Sequence, residues 1–250
     1  MSGPVDPRRA RVFGTFAADY DRWRPSYPEE AVRWLVPDNA RLVADVGAGT
    51  GKLTGVLVRL GVEVVAVEPD PDMLDVLRAN HPHVQLANAP AEALPLADGG
   101  VDAVLVGQAW HWFDHQRAVA EVRRVLRPGG WLGIIGNEAG PREPWLDELA
   151  ALHPDVVGTD DATDDGANPW AEQGLAGVPF AARLFPWQHM MTPAALKSLL
   201  ATHSVFAVMP EAEREARLGQ MAAVAQAEAD RRGVSELPFH QVASCVRVFV

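Results

Sequence analysis

Asp45 and Glu68 stand at or near the ends of two apolar runs, Arg41–Val46 and Val62–Val67, and between them lies the turn Gly47-Ala48-Gly49-Thr50-Gly51. Glycines at a strand-to-helix turn admit positive φ and let the backbone approach a ligand closely. A carboxylate that closes the following strand can accept hydrogen bonds from both hydroxyls of a ribose, so Glu68 has the position and the chemistry of a nucleoside-binding acid. A dinucleotide site is written Gly-x-Gly-x-x-Gly, and its last position falls here on Lys52. Asp45 also puts an anion close to where a pyrophosphate would lie at the helix N-terminus. That acid suits a ligand bearing an ammonium or sulfonium instead. No Gly-x-x-x-x-Gly-Lys-[Ser/Thr] phosphate loop is present.

A second group, Gln108-Ala-Trp110-His111-Trp112-Phe113, follows the apolar run Val101–Val106. Ligands of doubly wound sheets bind at the carboxyl ends of strands, so this segment is expected to face a second ligand. Trp110 and Trp112 suit an apolar, water-excluding wall, and His111 is the candidate general base because imidazole titrates near neutral pH. His111 acting only as a pocket wall that orients a ligand is the competing reading. The spacing His111-x-x-x-His115 also fits a pair of metal ligands, but Asp114 is expected to cap the next helix and to leave His111 outside it. With no His-Glu-x-x-His and a lone cysteine, no metal site is expected. Both tyrosines of the chain that could join such a site, Tyr20 and Tyr27, flank Arg24-Pro25, where the proline biases Arg24 out of helical geometry.

The elements that must hold these residues read as alternating strands and helices. Helical spacing covers Lys52–Leu60, with Leu53, Val56, Leu57 and Leu60 on one face, and then Pro71–Asn80. Val84–Leu86 is a short third strand and Val101–Val106 a fourth, nearly continuous in apolar residues as a strand covered on both faces should be. A helix from the Asp114 cap runs to about Leu126, Arg127-Pro-Gly-Gly ends it, and Trp131–Ile135 is a fifth strand. Beyond Gly136 the spacing predicts a helix over Pro144–His153, a loop over Gly158–Gly177, a strand over Ala182–Met190, helices over Pro193–Thr202 and Glu211–Arg231, and a final strand over Gln241–Val250. Such βαβ units imply an α/β, doubly wound, mostly parallel seven-stranded sheet with helices on both faces. A single domain over 1–250 is expected: a helical cover to residue 40, a core over 41–136, an acceptor-side insertion over 137–180 and a closing strand–helix–strand over 181–250.

Five pieces in this order carry a resemblance: Asp45-Val-Gly-Ala-Gly-Thr-Gly, Val67-Glu68-Pro69-Asp-Pro-Asp-Met73-Leu, Ala91-Glu92-Ala-Leu-Pro, Trp110-His-Trp-Phe-Asp and Leu126-Arg-Pro-Gly-Gly-Trp-Leu. Residues 13 to about 136 resemble the class I S-adenosylmethionine-dependent methyltransferases, in particular the small-molecule branch that includes ubiquinone-biosynthesis and trans-aconitate methyltransferases. The resemblance implies that Asp45 and the Gly47–Gly51 turn, with Ala48 and Gly49, lie against the methionine part of S-adenosylmethionine. It implies Glu68, beside Pro69, on the ribose, Met73 along the adenine, Ala91 and Glu92 at the base edge, and Gln108 near the sulfonium and the acceptor. In this family a similar N-terminal segment folds over the cofactor. That gives Tyr20 and Arg24 a place against the methionine carboxylate, and Tyr27 a place beside the acceptor with Trp110 and Trp112. An amphipathic helix packed on the sheet edge is the alternative for that segment.

Formal net charge is −11, the reverse of the basic face that nucleic-acid binders present to phosphates. The Asp/Asn-Pro-Pro-Tyr/Phe signature of nucleic-acid amino methyltransferases is also missing, its place being held by Gln108-Ala-Trp-His. A small-molecule acceptor is therefore expected, with no nucleic acid and no membrane. The reaction expected is methyl transfer to oxygen of a carboxylate or hydroxyl, with nitrogen and carbon left open. A nicotinamide oxidoreductase, and a non-catalytic protein holding the nucleoside as a structural ligand or sensor, are the rival readings. The chain starts without an apolar leader and lacks any run near the roughly 18 apolar residues of a membrane span. Together with its single cysteine, Cys245, this leads to a cytoplasmic expectation. Residues 138–172 hold ten acidic side chains and one basic one, either a solvated loop or a lid that selects a cation.

Overall fold

The computed structural model describes residues 17–141, 143–152 and 170–250. Its strands are Leu42–Val46 (β1), Glu63–Val67 (β2), Gln85–Ala87 (β3), Val101–Gly107 (β4), Leu126–Ala139 (β5), Phe180–Met191 (β6) and Leu237–Val248 (β7). Its helices are Ala17–Trp23 (α1), Glu29–Leu35 (α2), Lys52–Arg59 (α3), Pro71–Asn80 (α4), His115–Val125 (α5), Pro144–Leu152 (α6), Pro193–Ala201 (α7), Ser204–Ala207 (α8) and Glu211–Arg232 (α9). Among the described residues the strands form one sheet in the order β3-β2-β1-β4-β5-β7-β6.

β1 pairs in parallel with β2 and β4, β2 with β3, and β4 with β5. The order reverses between β1 and β4, which makes their carboxyl ends, Val46 and Gly107, the place where an open α/β sheet leaves a crevice. β7 runs the other way. The Gly140 N–H, just past β5, donates to the His240 carbonyl near the start of β7 (3.1 Å), whereas Trp131 early in β5 meets Phe249 just past the end of β7 (ring centroids 6.1 Å). β6 is likewise antiparallel to β7, since the Phe249 N–H donates to the Pro179 carbonyl (2.9 Å) and the rings of His189 and Phe239 meet at 5.6 Å. The sheet is thus a mixed one within an α/β fold.

Local chemistry sets the element ends. Asp70 caps α4 by accepting from the N–H groups of Asp72 and Met73, and Pro71 opens the first turn, so the helix has the bounds its sequence predicts. Asp114 caps α5 through the Arg117 N–H. That helix buries Ala118, Val119, Val122 and Val125 on one stripe. Burying each such valine stabilises the fold by roughly 1.5–3 kcal/mol.

Two strands begin four or more residues before their expected starts. β5 begins at Leu126, which pairs with Val101, and not at Trp131, which pairs with Ala103. Residues 127–130 bulge opposite Asp102, where the Arg127 guanidinium binds that carboxylate (2.6 Å) and the Gly99 and Gly100 carbonyls. β7 begins at Leu237 and not at Gln241, although Pro238 lacks the N–H a central strand uses; proline is tolerated at the start of a strand. Residues 158–169 of the expected loop lie outside the described residues, as do 13–16 of the resemblance and most of the acidic segment. Within 170–177, Ala171–Leu175 is a kinked turn in which Gln173 (φ −103°, ψ 47°) and Gly174 (φ 84°) leave helical geometry.

Contacts group the chain into two compact units. One draws on residues 25–137, 170–185 and 243–250 and contains β1–β4 with α2–α5. Its core joins Val46, Val67, Val104, Val106, Trp110, Val122 and Ile134. The other draws on residues 17–24, 138–152 and 186–242, with a core of Trp145, Leu149, Leu199, Phe206 and Met221.

Candidate active site

Backbone hydrogen bonds tie the turn after β1 to the end of β2. The N–H groups of Gly47 and Ala48 donate to the Val67 carbonyl at 2.8 and 3.1 Å. Gly47, Gly49 and Gly51 all have positive φ (69°, 55° and 92°). At Gly47 a side chain has no room either: a Cβ there would lie 2.6 Å from the Ala109 Cβ and 3.1 Å from the Phe113 ring. The glycine turn therefore abuts the segment after β4, and the two groups of residues singled out in the sequence meet.

Asp45 is fully buried (0% exposed). Its Oδ2 accepts from the Thr54 hydroxyl at 2.5 Å, while its Oδ1 is buried with no partner. Burial pushes its carboxyl up to about 7, opposed by the hydrogen bonds from Thr54 and assisted by the Glu68 carboxylate. Glu68 is 8% exposed. Its Oε2 accepts from the Gly49 N–H (2.9 Å) and its Oε1 from the Asp70 N–H (3.0 Å). Burial raises its pKa as well, against those two backbone donors. Asn88 fixes the strand end beneath it, donating to the Glu68 and Pro69 carbonyls, both at 3.0 Å. Met73 and Ala91 are buried close by in sequence to these anchors, at the start of α4 and after β3. Glu92 is half-buried and accepts from the Asp114 N–H (2.6 Å), which pins the start of α5.

Gln108 carries the chain out of β4 with φ 56°, a left-handed conformation rare for a residue with a side chain. Its N–H donates to the Ile135 carbonyl and its Nε2 to the Asn137 carbonyl (2.9 and 3.0 Å). Those two bonds hold a strained residue in place, as functional positions often require. The Asn137 amide in turn donates to the Ser26 carbonyl (3.0 Å), and its Oδ1 is buried without a partner. Tyr27 is buried, its hydroxyl 2.8 Å from where a Gly107 Cβ would stand. His111 and Trp112 are half-buried in a helical turn, their ring centroids 4.7 Å apart.

Trp110 is 1% exposed and belongs to the core: its Nε1 donates to the Gln173 carbonyl (3.3 Å), and its ring packs on Phe113 and His115. A 3₁₀ turn sends successive side chains in different directions, so Trp110 points inward while His111 and Trp112 do not. His115 stacks on Trp110 and bonds its carbonyl (3.2 Å). Among the described residues no group of three His, Cys, Asp or Glu side chains is placed to hold a metal ion.

Tyr20 and Arg24 lie in the other compact unit. The Arg24 guanidinium sits 5.5 Å from the Tyr20 ring centroid, its Nη2 donates to the Thr202 carbonyl (3.3 Å), and its Nε is buried without a partner. Three contributors went unread in the sequence: Thr54, Asn88 and Asn137. Only Thr54 left a signal, as a polar residue among Leu53, Val56 and Leu57 on the buried face of α3.

The donor inventory tests which ligand this turn fits. Two buried carboxyls face each other's field, one keeps an unfilled acceptor, and the Thr50 hydroxyl of the turn is buried without a partner. Such a site repels a pyrophosphate and fits a cationic ligand rich in donors, as an amino-acid sulfonium nucleoside is. Residues 44–134 match the methyltransferase domain family. The chain is 44% identical over 241 residues to an uncharacterised methyltransferase of Mycobacterium tuberculosis (strain H37Rv), covering 94% of each chain. Over 134 residues, 49% of this chain and 48% of the other, it is 39% identical to the malonyl-[acyl-carrier protein] O-methyltransferase of Methylococcus capsulatus. A solved structure of a methyltransferase provisionally placed in type II, from Anaeromyxobacter dehalogenans, superposes with a TM-score of 0.65 at 28% identity, over 90% of this chain and 97% of that one. On its glycine turn, its paired acids and these relatives, the chain belongs to the class I S-adenosylmethionine-dependent methyltransferases.

Proposed function

We propose that the protein methylates a small organic acceptor at oxygen, a carboxylate or a hydroxyl. S-adenosylmethionine supplies a methyl carbon already activated by its sulfonium. The observation that carries the placement of this cofactor is the unfilled, buried Oδ1 of Asp45 beside the glycine turn. In this reading Asp45 takes the ammonium end, Glu68 the ribose hydroxyls, and Met73 with Ala91 the two sides of the base. Glu92 holds the base edge together with the start of α5, which it already binds.

The acceptor lies beyond β4, against Tyr27, His111 and Trp112, with Gln108 between it and the cofactor. A carboxylate arrives ionised and needs only orientation and the exclusion of water. A hydroxyl must lose its proton, and His111 accepts it. Oxygen as the target is supported by the partial match to an O-methyltransferase. A small acceptor is supported by the net charge of −11, which opposes polyanionic substrates.

The test is turnover: a panel of small carboxylic acids, hydroxy acids and phenols incubated with S-adenosylmethionine, with S-adenosylhomocysteine and the methyl ester or ether both measured. Stoichiometric formation of the two products supports the reading. Methylation of amines alone from a matched panel would refute oxygen as the target.

A further inference from the structure

Residues 88–100 join β3 to β4 without a helix or strand of their own, so no ladder fixes the backbone that carries Ala91 and Glu92. Backbone polar groups that leave water need partners, and here α5 supplies them. At its capping residue, the Asp114 N–H donates to Glu92 (2.6 Å). In its last turns Glu121 and Arg124 take over. The Leu94 N–H donates to Glu121 Oε2 (2.7 Å), and the Leu94 carbonyl accepts from Arg124 Nη2 (2.8 Å). Arg124 Nη1 donates to the Leu96 carbonyl (2.7 Å) and to Asp98 (2.8 Å). The Gly99 N–H closes the span on the Arg124 carbonyl (2.9 Å). Both ends of α5 thus grip the segment, with the side chains of Ala91 and Leu94 buried in the core.

One ion pair makes the second grip. Arg124 Nε and Nη2 donate to the two oxygens of Glu121, both at 2.8 Å, in the bidentate geometry that makes such pairs strong and directional. The guanidinium holds the Glu121 carboxyl below the usual carboxylate range. With its fork fixed on Glu121, the guanidinium has donors left for the Leu94 and Leu96 carbonyls. The Asp98 side chain is 82% exposed against 20% for Glu121. An exposed pair contributes little, so Asp98 matters least and the Glu121 pair with its peptide bonds most. Lysine carries one compact ammonium and no fork, so it cannot serve the carboxylate and both carbonyls in this geometry.

We propose that Arg124 and Glu121 are positioning residues for base recognition: their paired side chains fix residues 91–98 so that the adenine edge of the cofactor meets a preformed surface. The proposal rests on the placement of the base at Ala91 and Glu92. A surface that is preformed in only a fraction of molecules binds with an affinity reduced by that fraction. The experiment titrates S-adenosylhomocysteine and S-inosylhomocysteine, which has a carbonyl in place of the exocyclic amine, into the parent, Arg124→Met and Arg124→Lys proteins, with a melting curve for each. The parent is expected to prefer the adenine form about tenfold, the worth of one hydrogen bond. Both variants are expected to bind the adenine form about tenfold more weakly and to lose most of that preference. A role in folding alone would lower the melting temperature and leave the preference at its parental value, and that result overturns the proposal. Full recovery of the preference by lysine overturns it too, since charge at the helix end would then suffice. A parent that binds the two nucleosides alike removes the base-edge reading and this proposal with it. A parent that discriminates, beside variants that discriminate equally, removes this proposal alone. Should Arg124→Met fail to fold, Glu121→Gln, which keeps the shape and removes the charge, carries the same comparison.

Discussion

Asp45 illustrates what a single carboxyl does when burial and chemistry pull in opposite directions. Its folded-state pKa of about 7 lies above the unfolded 3.8, so between those values the native protein holds a proton that the unfolded chain releases. The stability this group contributes is full below about pH 4 and is lost as pH rises through about 7, by at most about 1.4 kcal/mol per unit. Asp45→Asn abolishes that loss, and thermal denaturation should show the variant gaining on the parent as pH rises from 4 to 8. Cofactor binding has the opposite sign. The ionised carboxylate attracts a cation, so S-adenosylmethionine affinity should rise with pH through about 7, with proton release visible when calorimetry is repeated in buffers of different ionisation enthalpy. At His111, substitution by Ala should lower kcat for hydroxyl acceptors by about 10²–10⁴-fold while leaving cofactor affinity intact. For a carboxylate acceptor the same change should cost far less. Asp45 and Glu68 were legible from sequence because a strand end fixes where an acid points. Thr54 and Asn88 were not, since a hydroxyl or amide finds its partner only once strands and helices have docked. The inward turn of Trp110 was not legible for a related reason: three aromatics in a row do not disclose which ring packs into the core.

The glycine turn and the segment after β4 act as one element, because the second fills the space that the first leaves by lacking side chains. Gly47→Ala should therefore do more than strain a backbone at φ 69°. Its Cβ would meet Ala109 at 2.6 Å, so the variant should lose about 1–3 kcal/mol of stability and weaken cofactor binding in step. A melting curve beside a binding isotherm checks both, and a variant with parental values for each contradicts the contact. Periodicity made the helices easy to read: α4 carries a capping aspartate and a proline in its first turn, and α3 and α5 show their buried stripes. β5 and β7 were harder. Arg127-Pro-Gly-Gly has the composition of a turn, yet Leu126 pairs before it and Trp131 after it, a bulge held by the long-range pair Arg127–Asp102 that no local pattern reveals. Pro238 hid the first residues of β7 in the same way.

At the scale of the whole molecule, strand order and charge decide what the chain can take as a partner. The order reversal between β1 and β4 gathers Asp45, Glu68, Gln108 and the His111 turn at strand ends, although the residues are spread over more than sixty positions of sequence. This arrangement followed from the alternating strands and helices, whereas the division into two compact units left no linker or change of composition to betray it. Among the described residues no helix is long and apolar enough to cross a membrane. With a net charge of −11, the protein should show no retention on an immobilised oligonucleotide even at low salt, where phosphate contacts are strongest. The proposed activity depends on a sulfonium nucleoside being held by two buried acids. Calorimetric titration of S-adenosylmethionine into the parent, Asp45→Asn and Glu68→Gln proteins at about pH 8 tests it most directly. The expected result is saturable binding to the parent, weakened at least about tenfold in each variant, one charge-assisted hydrogen bond being worth that much. Parental affinity in both variants, or no binding to the parent at all, would contradict it.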